Sequence, residues 1–109
     1  MELTSAGSVN FTNATEIDIR TAFADDAGRD EFIILSQSEL TYMQASGECE
    51  GPYTLEYQDA STDKHYQCPD DLNKDQVQAA FLKYLNNDTS WRTGIQWQLL
   101  ENKPWWKFW

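Results

Sequence analysis

The residues of this chain best suited by type to ligate a metal or activate a substrate are one histidine, His65, and two cysteines, Cys49 and Cys68. A histidine acting as general base needs a nucleophile or a positioned water within hydrogen-bond reach, and no triad-like grouping can be drawn around His65. His65 and Cys68 are three apart in a stretch with strand character, so they point to opposite faces and cannot share a tetrahedral site. His65 therefore reads as a surface histidine. The eighteen acids guarantee chance carboxylate pairs, and nothing fixes one pair across a cleft as a glycosidase requires. A glycine-rich phosphate loop and a nucleophile elbow are both missing from the sequence. The expectation is a protein that is not an enzyme and uses no metal and no cofactor, with a small enzyme of unrecognised site as an alternative.

Around these residues the chain is acidic: eight bases against eighteen acids in 109 residues give a net charge of −10. That balance, with few basic residues, disfavours nucleic acid and anionic membranes as partners and favours basic proteins, with association weakening as salt rises. The same acidity also serves solubility alone. No run approaches the roughly 18 apolar residues of a membrane span. Met1 to Thr12 lacks the basic-then-apolar order of a signal peptide, so a cytoplasmic location is expected. Cys49 and Cys68 are separated by one intervening strand in the reading below, about 9–10 Å. That exceeds the usual reach of a disulfide, and reduced thiols are expected.

The length suits one domain, residues 1–109, with one core. Residues 1–12 are polar and read as an arm or a short edge strand around Val9 to Thr12. Thr15 and Asp18 form a capping box, after which Ile19, Ala22 and Phe23 share a helical face. The alternation of Ile17 and Ile19 leaves a short strand open there. Four strand-like runs follow, at Phe32–Leu35, Leu40–Ala45, Tyr53–Tyr57 and His65–Cys68, joined by short polar segments that suit hairpins. Asn73 with Gln76 starts a second helix whose stripe is Val77, Ala80, Phe81, Tyr84 and Leu85. Ile95, Trp97 and Leu99 alternate as a last strand. The expected fold is α+β, an antiparallel four- to five-stranded meander with two helices packed on one face.

The succession Phe32-Ile-Ile-Leu35, Leu40-Thr-Tyr-Met-Gln-Ala45, Tyr53-Thr-Leu-Glu-Tyr57 and Asp63-Lys-His-Tyr66 resembles small immunity proteins encoded beside bacterial polymorphic toxins, the Imm1-like family. Helix Lys74–Leu85, followed by Trp91 and the Ile-Gln-Trp97 strand, is similar to that family's C-terminal end. The resemblance spans residues 15–100; the polar start and the tryptophan-rich end depart from it. It implies a non-enzymatic inhibitor that plugs a toxin's active site. A phage or mobile-element protein, mimicking acidic nucleic acid or inhibiting a host factor, is the alternative binding class.

Two groups of residues are candidates for contact with such a partner. Alternate loops of a meander lie at one end of the sheet. That geometry gathers Asp25, Asp26, Asp30 and Glu31 before the first run, Glu48 and Glu50 between the second and third, and Asp70 and Asp71 after the fourth. Asp70 and Asp71 also favour the dipole of the helix they precede, which does not account for the other six. The second group is the aromatic tail, Trp105, Trp106 and Trp109. One reading has Pro104 turn the tail back over the sheet. The other makes it an anchor for a partner or for a homodimer, since Trp is a common hot-spot residue.

Overall fold

The computed structural model describes residues 1–5, 10–24, 31–47 and 52–100. Seven strands pair antiparallel in the order β2-β1-β3-β4-β5-β6-β7. They are β1 Glu2–Ser5, β2 Asn10–Phe11, β3 Glu31–Ser38, β4 Thr41–Gly47, β5 Tyr53–Gln58, β6 His65–Gln67 and β7 Gln98–Leu99. Helices α1 (Glu16–Ala24), α2 (Lys74–Leu85) and the short α3 (Trp91–Gly94) complete the α+β fold. The four central runs form the expected meander.

The sheet has seven strands instead of four or five, and the two additional ones, β1 and β2, lie at the start of the chain. β2 is the short edge strand expected around Val9 to Thr12, and β1, which was not expected, is an interior strand paired with β2 through Leu3↔Phe11 and with β3 through Leu3↔Leu35. The only large apolar residue of β1 is Leu3, and one apolar side chain makes no readable alternation, although Ser5 is buried on the same side; pairing with β3 sets its state. At the other end, only Gln98–Leu99 of the expected Ile95–Leu99 strand pairs with β6. Ile95 and Trp97 instead pack on the core from ahead of the strand.

Both long helices start where their caps dictate. The Asp18 amide donates to Thr15 Oγ1 at 3.3 Å, and the Thr15 amide donates to Asp18 Oδ2 at 2.9 Å. Ile17 lies within α1 and is 73% exposed, which closes the short-strand alternative. In α2 the Gln76 amide donates to Asn73 Oδ1 at 2.8 Å while the Asn73 amide donates to Gln76 Oε1 at 2.9 Å. These reciprocal bonds satisfy amides that a helix N-terminus otherwise leaves open.

The two helices cover one face of the sheet. Ile19 and Phe23 from α1 and Val77, Ala80 and Phe81 from α2 are buried against Leu3, Leu35, Met43, Ala45 and Leu55. Phe23 and Phe81 meet edge to face at 5.2 Å between ring centroids. Beyond α2 the same face is closed by an aromatic cluster: Tyr57 stacks on Tyr66 at 4.8 Å and takes the edges of Trp91 and Trp97 at 4.7 and 4.6 Å. The Arg92 guanidinium lies over Tyr57 and Trp91. At the end of β4, Gly47 adopts φ +148°, and a Cβ there would collide with the Pro52 carbonyl oxygen. No helix among the described residues is long and apolar enough to cross a membrane.

Candidate functional site

Among the described residues no helix covers the second face of the sheet, because all three pack on the first. Strand parity decides what that face presents. Residues directly opposite each other share a side, so the pairings Ile34↔Gln44, Gln44↔Glu56, Glu56↔Gln67 and Gln67↔Gln98 set five side chains in one row across β3 to β7. The next row, towards the β5–β6 connection, is Ser36, Tyr42, Gln58 and His65. Phe32, Ser46 and Thr54 form the row on the other side, and Phe32 is 40% exposed.

The centre of this face is fixed by hydrogen bonds. Gln58 is buried, and its Nε2 donates to the Leu40 carbonyl at 3.1 Å. That bond turns Oε1 towards His65 Nδ1 at 3.0 Å, and the Tyr42 hydroxyl makes a long bond to the same oxygen at 3.4 Å. His65 Nε2 lies 2.9 Å from Glu56 Oε1, with the two side chains 19% and 18% exposed. Tyr42 and His65 meet edge to face at 6.0 Å. Burial, and secondarily the Glu56 carboxylate, raises the Tyr42 phenol above its ordinary range. Both imidazole nitrogens are engaged inside this network, so neither is presented to a substrate.

His65 is therefore half-buried and ordered, not the surface histidine its isolation in the sequence suggests. The cause is register: β5 and β6 pair Gln58 with His65, and the alternation Thr54, Glu56, Gln58 carries the acceptors to the same side. That signal stood in the sequence as the polar half of the Tyr53–Tyr57 alternation, whose apolar half points to the core. Tyr42, Gln44, Glu56, Gln58 and Gln67 were missed because none has a distinctive type or spacing until the strands are paired. Cys68, on the helix-covered side, is a buried free thiol. Cys49 lies outside the described residues. Among the described residues no three His, Cys, Asp or Glu side chains converge as metal ligands.

Of the acids assigned to one end of the sheet, Glu31, Asp70 and Asp71 fall within the described residues, and Glu31 is placed by its backbone alone. Pairings Glu31↔Gly47, Gly47↔Tyr53 and Tyr53↔Leu72 bring the start of β3, the end of β4 and the segment before α2 to that one end. Asp70 and Asp71 are exposed there. Asp70 also lines a cavity of about 360 Å³ with Cys68, Gln76, Ala80, Lys83 and Trp91. Asp25, Asp26, Asp30, Glu48 and Glu50 lie outside the described residues, as do Trp105, Trp106 and Trp109 of the tail.

The cations are segregated. Among the described residues Arg20 lies on α1, Lys74 and Lys83 on α2, Arg92 on α3 and Lys64 on the 3₁₀ turn between β5 and β6. None of these five side chains stands on the uncovered face. Compared with protein-family models, characterised proteins and solved structures, the chain matches none of them, so its function has to be argued from this face and its chemistry.

Proposed function

We propose that this chain is a non-enzymatic protein that binds and neutralises a basic protein partner, as an immunity protein does a toxin domain, and that it binds with the uncovered face of its sheet. The observation that carries this reading is that none of the lysines and arginines among the described residues stands on that face, in a chain of net charge −10. A basic partner approaching it meets no lysine or arginine of the described residues, and the net negative charge of the chain draws the partner in. The row of Phe32, Ser46 and Thr54 lies towards the end of the sheet where Asp70 and Asp71 are exposed. The face itself presents Tyr42, Phe32, Ile34 and amides, the mixture of aromatic and adaptable polar groups that suits protein contact. A nucleic-acid mimic is less well supported, because the described strands put only Glu2 and Glu56 on this face and not an array of carboxylates at phosphate spacing.

The test is a charge placed on each layer in turn. The complex is isolated from the native host with tagged full-length chain, and binding is remeasured for Thr54→Arg on the uncovered face and Ala79→Arg on the exposed side of α2. Loss of the complex with Thr54→Arg and retention with Ala79→Arg is the expected result. The reverse pattern places the interface on the helix layer and removes the reading.

A further inference from the structure

Glu56 is the one carboxylate on β3 to β6 that stands on the uncovered face, and it is only partly used. A carboxylate offers about four acceptor positions. His65 Nε2 takes one, at Oε1, and no other hydrogen bond reaches Glu56 among the described residues. On either side in the same row stand Gln44 and Gln67, both half-buried and neither making a side-chain hydrogen bond there. The row thus holds a carboxylate flanked by two side-chain amides, each able to turn an acceptor oxygen to the same ligand. The ring of Tyr42 lies in the adjoining row, beside Glu56 closely enough for the carboxylate to raise its phenol.

We infer that Glu56, Gln44 and Gln67 form a binding site for a guanidinium group, the side chain of an arginine on the protein partner. The planar fork of arginine matches a carboxylate, stacks on an aromatic ring and is less strongly hydrated than an ammonium, so this site selects arginine over lysine. His65 is the internal competitor. Its Nε2 lies 2.9 Å from Glu56 Oε1, so an arriving guanidinium shares that carboxylate with the imidazole. This site rests on the reading of the uncovered face as the interface and names the partner chemistry it takes.

The experiment needs no partner protein: the full chain is titrated with N-acetyl-arginine methylamide, N-acetyl-lysine methylamide and sodium chloride, and the side-chain amide and carboxyl signals are followed by NMR. The expected result is saturable movement of the Gln44, Gln67 and Glu56 signals with the arginine probe. Affinity should fall by about tenfold in Glu56→Gln, the loss of one charge-assisted contact. In His65→Ala, which removes the imidazole from Oε1, the arginine probe should bind more tightly. A purely structural role for His65 predicts weaker binding in that variant. Movement of equal size with the lysine probe, no saturable movement at these three residues, or weaker binding in His65→Ala overturns the assignment. If the arginine probe fails while Thr54→Arg still abolishes the native complex, this site is wrong and the interface stands.

Discussion

Tyr84 makes a prediction whose sign runs against the usual cost of altering a core residue. It is 5% exposed at the end of the α2 stripe, packed at 5.7 Å on Trp91, and its hydroxyl has no hydrogen-bond partner among the described residues. Gln37 stands near the hydroxyl but not in bonding geometry. A buried hydroxyl without a partner costs about 1–3 kcal/mol in lost solvation, so Tyr84→Phe should raise stability by about 1 kcal/mol at neutral pH. Alkali gives a second reading of the same group. Burial pushes the phenol up to about 12, with Arg92 opposing and Asp59 reinforcing the shift. The unfolded phenol loses its proton near 10 and the folded one near 12, so between these values the unfolded chain carries fewer protons. The phenol therefore adds no pH-dependent cost below about pH 10, and stability falls as pH rises from there towards 12. Two units correspond to about 2.7 kcal/mol, which solvent near the exposed Arg92 reduces to about 1–2 kcal/mol. Urea unfolding of both chains from pH 7 to 11.5 provides the assay, and their difference removes the other tyrosines and lysines. The gain from Tyr84→Phe should widen above pH 10. A loss above about 1 kcal/mol at pH 7, or a difference constant with pH, refutes the reasoning.

The remaining predictions concern the scaffold. Phe81→Ala removes a fully buried ring packed on Phe23 and should cost about 3–5 kcal/mol in chemical unfolding, whereas a cost below about 1 kcal/mol would make α2 peripheral. Gly47→Ala must fit a Cβ against the Pro52 carbonyl at a φ that favours glycine, and should lower stability by about 1–3 kcal/mol, read as a reduced melting temperature. Asn73→Ala breaks the reciprocal cap of α2 and should cost about 1 kcal/mol, with Asn73→Ser restoring most of it.

The long elements were legible because each carries its own pattern: Asn73 and Gln76 open α2, and Val77, Ala80, Phe81 and Tyr84 draw its buried stripe. The meander was legible for the same reason, since Tyr53, Leu55 and Tyr57 alternate with polar residues. β1 was not, because a single leucine among polar residues acquires its state from β3. The polar centre of the uncovered face was hidden for a different reason. Glu56 and His65 are nine residues apart and unremarkable in type, and only the pairing of β5 with β6 makes them neighbours. The helix-covered face could be read from hydrophobic periodicity, whereas the other face is defined by register, which one strand does not encode.

The central claim, that the uncovered face is the interface, is tested most directly by hydroxyl-radical footprinting of the chain free and in its native complex. Phe32 and Tyr42 report on the uncovered face, and Ile17 and Leu82 report on the helix layer. Binding through the sheet should protect Phe32 and Tyr42 and leave Ile17 and Leu82 as reactive as in the free chain. Protection of Ile17 and Leu82, with Phe32 and Tyr42 unchanged, would contradict it.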